Sequence, residues 1–323
     1  MQNNIKNIAE KIHDKAIECG YDGCGIILLG DMDGYKKYLD DRIKKIPDEK
    51  GKKLYGFYDA FTNLDKLYPW AKSVIICTFY LGQYKYPKSL QGKYAKSFML
   101  LPDTLPESPE YKNAKLFEKW LTEQDIKFTC GGENSAASVL PLRHAAVYAG
   151  LGIFRKNNFF YGTKGSYYSL KGFLTDVDCE YKNKCEIKPC PDNCNLCQRA
   201  CKTKALFAPY TMNPALCISF LTTFGGGAVP ENLNEKDLGT WICGCDDCQD
   251  ACPHNKIHDW DVGKEFYGLN EIEDLLKPEN IIAASNEVLI DKVIPKTDFH
   301  IPPEKCDILR ICANRVIRVL NQV

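Results

Sequence analysis

A chain of 323 residues that is 45% apolar and 11% aromatic can bury a core larger than one typical domain needs. Its 42 basic and 42 acidic residues cancel, which removes any global field toward DNA or an anionic membrane. No run approaches the roughly 18 apolar residues of a membrane span, and the first twenty residues lack the apolar core of a signal peptide. The expectation is therefore a soluble, cytoplasmic protein, in which 17 cysteines point to metal rather than to disulfides.

Ile5, Ile8, Ala9, Ile12, Ala16 and Ile17 recur at helical spacing and Gly20 follows as a stop, predicting an amphipathic helix over 4–19. β-rich runs follow at 25–29 and 73–81, then a helical pattern over 109–124 and a strand at 126–129. A further helix is expected from Ser135 to Tyr148, ended by Gly150-Leu151-Gly152, with a strand over 167–177. This alternation predicts an α/β (α+β) layer fold for residues 1–178. Cysteine density then rises, marking 179–258 as a metal-organised module. Residues 259–323 form a tail whose final helix, over 303–320, is expected to pack on the first domain.

Cys190, Cys194, Cys197 and Cys201 are spaced C-x3-C-x2-C-x3-C, and Cys245, Cys248 and Cys252 are spaced C-x2-C-x3-C before Pro253. Both echo the bacterial ferredoxin run, with one extra residue after Cys190 and Lys202 in the place of a proline. A short turn cannot wrap all four corners of a four-iron, four-sulfur cube, so in such pairs the fourth cysteine crosses to the other cluster. The expected ligands are Cys190, Cys194, Cys197 and Cys252 for one cluster and Cys201, Cys217, Cys245 and Cys248 for the other. Cys243 is the rival of Cys245, and one or two structural zinc sites are the alternative use of such pairs. Cys19, Cys24, Cys77, Cys130, Cys306 and Cys312 are expected to be small core residues, and Cys179 and Cys185 have no matching partners.

The order Gly150-Leu151-Gly152, Lys156-Asn157, Lys164-Gly165-Ser166, Phe173-Leu174-Thr175-Asp176, the cysteine pattern, Cys217-Ile218-Ser219 and Gly244-Cys245-Asp246-Asp247-Cys248-Gln249 resembles the epoxyqueuosine reductase family, chiefly over 135–255. The resemblance implies a nitroreductase-like, cobalamin-binding domain followed by a ferredoxin-like two-cluster domain. It also implies that electrons from a flavodoxin- or ferredoxin-type donor pass through the clusters to cobalt and on to substrate. Gly150, Gly152 and Gly165 allow close approach of a large ligand or of another backbone, and Lys156, Asn157, Ser166 and Thr175 are the candidates for corrin contacts. No D-x-H-x-x-G corrinoid motif occurs.

The family keeps an Asp-Ser-Ala-Pro stretch whose aspartate can protonate the substrate carbon; here the stretch is Asn134-Ser135-Ala136-Ala137. Glu133, Arg143 and His144 are the nearest groups able to act as acid or electrophile. With the aspartate absent and basic residues scattered in sequence, a small molecule or a protein is expected as the target in preference to tRNA. The alternative is a corrinoid-linked electron-transfer or reductive-activation protein with no substrate chemistry of its own, and a metal-stabilised binding module is a third reading.

Overall fold

Four short runs of apolar residues build the central sheet. The computed structural model describes residues 2–101, 105–130, 139–297 and 301–322, with side chains from Ile8 onward. β1 (Gly23–Leu28), β2 (Ser73–Tyr80), β6 (Tyr168–Thr175) and β3 (Phe128–Thr129) lie in the order β1-β2-β6-β3. Every pairing is antiparallel, with Ile26 opposite Ile75 and Ile75 opposite Phe173. The expected layer fold is thus present in its α+β form.

The two-residue period of a strand splits these runs between two cores. Cys24, Ile26, Ile75, Cys77 and Phe173 face the helices Gln2–Glu18 and Pro109–Glu123, meeting Ala9, Ile12, Ala16, Phe117 and Leu121. Ile27, Val74, Ile76 and Leu174 face the other side, meeting Ala145, Ala146 and Ala149 at the helix Leu142–Tyr148. Covered on both faces, β2 shows continuous rather than alternating apolarity. Each such Ile or Phe contributes roughly 1.5–3 kcal/mol on burial.

Helix ends follow local chemistry. Ser108 caps 109–123 by accepting the Tyr111 amide at 3.1 Å, and Pro109 occupies the first turn, where its missing N–H costs nothing. The helix before Gly150 begins at Leu142, later than the expected Ser135, which lies outside the described residues. Pro141 sets that start, since a proline forces the residue before it into extended backbone. Ile17 lies at the margin of its helix and is 41% exposed, so the buried stripe is narrower than the sequence pattern.

Residues 266–316 share a third core with Leu81–Leu100 and with Ile242 and Cys243 of the cysteine-rich segment. The tail therefore packs on both preceding parts of the chain. Its last helix, Asp307–Leu320, buries Leu309, Cys312, Ala313 and Val316. Among the described residues no helix is long and apolar enough to cross a membrane.

Candidate metal centre

The cysteine-rich segment has almost no long secondary structure and is organised by single turns. Leu196–Ala200 carries Cys197, Asp247–Asp250 carries Cys248, and Cys217 caps the turn Ile218–Leu221. These turns bring the spaced cysteines into two groups. Cys190, Cys194, Cys197 and Cys252 line one recess with about 270 Å³ of empty space, part of it open to solvent. Cys217 lies within electrostatic reach of Cys201, Cys245 of Cys248 and Cys217, and Cys248 of Cys217 and Cys201, forming the second group. Cys248 is also in reach of Cys197, so the groups adjoin.

Burial favours the protonated form of four of these thiols. It pushes Cys197 up to about 11 and Cys217, Cys245 and Cys248 above the usual thiol range. Backbone N–H groups oppose this: Gln198 acts on Cys197, Phe220 and Ser219 on Cys217, and Asp247 on Cys245. Such donors favour the thiolate that iron requires, so loading should release protons. Among the described residues no three His, Cys, Asp or Glu side chains converge closely enough for one metal ion.

Cys243 belongs to a different core from the two thiol groups. It is fully buried in the tail core beside Tyr86 and Tyr94, and its carbonyl accepts the Ala95 amide at 2.8 Å. Cys19, Cys24, Cys77, Cys306 and Cys312 are buried, Cys179 lies in the sheet core, and Cys130 and Cys185 are half-buried.

The residues nominated for the corrin are put to a different use. Lys156 Nζ donates to the carbonyls of Pro191, Asp192 and Cys194 at 2.7, 2.8 and 2.9 Å, tying down the first cysteine loop. Asn157 Nδ2 donates to the Tyr161 hydroxyl and to the Cys248 carbonyl. Ser166 bonds Gln249 and Asn255, and Thr175 bonds Ser73. Gly150, at φ 73°, has the Asn183 carbonyl where a Cβ would stand, and Gly165, at φ 91°, has the Asn255 side chain there; Gly152 abuts the Tyr161 carbonyl. These glycines admit protein backbone and side chains, and the four polar side chains do not fit a corrin because their donors are committed.

Of the catalytic candidates, Glu133 lies outside the described residues. Arg143 donates through Nη1 to the Asn158 carbonyl. His144 is 7% exposed, boxed by Tyr35, Tyr38, Tyr148 and Phe154, and neither ring nitrogen has a hydrogen-bond partner among the described residues. Burial, with the Arg42 charge second, pushes its pKa down to about 4. A neutral imidazole of this kind is a poor proton donor near pH 7.

Three features were missed by sequence reasoning. Arg155 and Tyr161 reach the first thiol group. Lys96, 3% exposed, bridges Asp246 and Asp250 beside the second group at 3.2 and 2.9 Å. Burial still holds Asp246 up at about 6 against the pull of Lys96. The only sequence signal was that Arg155 and Tyr161 lie beside the Lys156-Asn157 pair; Lys96, 150 residues from Asp246, carried none.

Residues 190–255 match the 4Fe-4S double cluster binding domain. The chain is 28% identical to the epoxyqueuosine reductase of Cyclobacterium marinum over 262 residues, 78% of this chain and 81% of that one. It is 35% identical to the Bacillus subtilis enzyme over 152 residues, 46% of this chain and 38% of that one. A solved Bacillus subtilis epoxyqueuosine reductase, with its aspartate-bearing catalytic loop swung out of the active site, superposes with a TM-score of 0.73 at 24% identity, covering 98% of this chain and 82% of that one. An epoxyqueuosine reductase with an epoxyqueuosine-modified tRNA-Tyr stem loop superposes with a TM-score of 0.70 at 22% identity, covering 97% and 81%. The cysteine motif, the α+β fold and the similarity along four-fifths of the chain together make this an epoxyqueuosine reductase-like oxidoreductase with a double 4Fe-4S cluster domain.

Proposed function

We propose that this protein is a two-cluster iron–sulfur reductase in which Cys190, Cys194, Cys197 and Cys252 hold one cube and Cys201, Cys217, Cys245 and Cys248 the other. The carrying observation is the gathering of eight thiols, far apart in sequence, into two adjoining groups of four. A low-potential flavodoxin- or ferredoxin-type protein supplies electrons, which cross between the adjoining groups and leave toward substrate. The protein positions this chemistry and the clusters carry it.

Cobalamin enters this reading through the family resemblance. With Lys156, Asn157, Ser166 and Thr175 committed elsewhere, no step is assigned to it, and other residues would have to hold it. The relative with a tRNA stem loop makes epoxyqueuosine in tRNA the first substrate to test, ahead of the small molecule or protein expected from the sequence.

Anaerobically reconstituted protein should contain about eight iron and eight sulfide per chain. With added cobalamin and a chemical reductant it should convert epoxyqueuosine in tRNA to queuosine. Zinc without iron would reject the cluster reading. Full clusters without conversion would favour the second reading, an electron-transfer protein, which Asn134 and the neutral His144 already support.

A further inference from the structure

We infer that the hairpin of β4 (Ile153–Phe154) and β5 (Phe160–Tyr161) sets the redox order of the two clusters, Arg155 and Tyr161 making the cluster of Cys190, Cys194, Cys197 and Cys252 the easier to reduce. This rests on the two-cluster reading above and adds a direction to it.

The hairpin belongs to the first domain in sequence, yet its turn is spent on the cysteine segment. Arg155 is 2% exposed; its Nη1 donates toward Cys190 Sγ at 3.6 Å and its Nη2 to the Lys188 carbonyl at 2.9 Å. The guanidinium carbon lies 5.2 Å from the centre of the Tyr161 ring, which holds the cation in place. Tyr161, 1% exposed, accepts Asn157 Nδ2 at 2.8 Å, leaving its own proton for the Cys252 thiol beside it. Lys156 adds a second buried cation beneath the loop from Cys190 to Cys194. The first group therefore meets two cations and a hydroxyl from one hairpin.

The second group has the opposite surroundings. Asp246 faces Cys248 and Asp247 faces Cys245. Lys96 is shared by Asp246 and Asp250, so that trio carries one net negative charge when both carboxylates are ionised. Asp247 accepts the Trp241 indole N–H at 3.1 Å, and its nearest cation, Lys202, is 4.0 Å away and half exposed.

Reducing a cube adds one electron, with no bond made or broken. Cations and hydrogen-bond donors at the ligand sulfurs stabilise the added charge, whereas carboxylates oppose it, most strongly in a buried setting. An electron shared between the clusters should thus rest on the first, and the second should be the stronger reductant.

The test is an anaerobic redox titration of the holoprotein at pH 8, followed by electron paramagnetic resonance. Two one-electron steps at different potentials are expected. Arg155→Gln should lower only the higher step, cutting the reduced-to-oxidised ratio of that cluster at a fixed potential about tenfold, equivalent to about 59 mV. Tyr161→Phe should move the same step in the same direction by less, and Arg155→Lys should restore part of the Arg155→Gln loss. Cys217→Ser, which removes a ligand of the second group, should leave the Arg155-sensitive step in place. With iron retained, unchanged potentials in both Arg155→Gln and Tyr161→Phe, or movement of the lower step, would overturn the inference. If Arg155→Gln loses iron, Tyr161→Phe decides alone. Failure of the two-cluster reading would show separately, as wild-type iron well below eight.

Discussion

His144 offers a clean test of whether its aromatic box excludes water and counter-charge. In the unfolded chain its pKa should be near 6.5 and in the fold about 4, with burial as the main cause. Between these values the unfolded chain binds the extra proton. The stability due to a neutral His144 is therefore complete above about pH 6.5 and declines as pH falls toward 4. From pH 8 to pH 5 the loss is about 2 kcal/mol. Replacing His144 with Leu removes this contribution and leaves the other titrating groups, Asp246 among them, as they are. The difference in unfolding free energy between variant and wild type should move in favour of the variant by about 2 kcal/mol across that range. Urea unfolding followed by circular dichroism at pH 8 and pH 5, with equal m values, would measure it. Parallel behaviour of the two proteins would mean that His144 takes a proton freely inside the fold, refuting the box and returning it to the list of candidate acids.

Two further outcomes follow from the thiol and charge placements. Cys245→Ser should cost one cluster, leaving about four iron, whereas Cys243→Ser should retain eight iron and instead lose about 1–3 kcal/mol from a hydroxyl placed in the tail core; iron analysis with a thermal melt separates them. Lys96→Met strands the fully buried Asp246 beside the second thiol group, while Asp250 keeps solvent, and should destabilise the protein by about 3 kcal/mol. A urea midpoint within error of wild type would show that Asp246 and Asp250 do not depend on Lys96.

The central strands were legible because β1, β2 and the second half of β6, from Gly172 to Thr175, are buried on both faces, so their apolar runs stand out without any partner in view. The helical turns between Tyr35 and Tyr55 were not, since Tyr35, Leu39, Ile46 and Tyr55 are the only buried large apolar residues there among many lysines and aspartates, and Arg42 shares their buried face. The two cysteine groups were visible because ferredoxin spacing encodes the crossing of the fourth ligand. What surrounds them was not. Lys156 beside a glycine-rich junction has the same sequence signature whether it meets a corrin amide or the backbone of Pro191, and the contact of Arg155 with Cys190 spans 35 residues of unrelated sequence.

The last helix carries a buried arginine, Arg315, whose guanidinium donates to the carbonyls of Gly239 and Trp241, just ahead of Cys245. Those carbonyls belong to a loop with no ladder of its own, and Leu238 and Trp241 pack beside it. Because a chain is made from its amino terminus, the brace for this loop emerges 76 residues after Gly239 and 74 after Trp241. The sheet can close early in synthesis, and Lys93 and Ala95 are already made when the Gly239–Cys245 stretch emerges, whereas its two Arg315 contacts form only later.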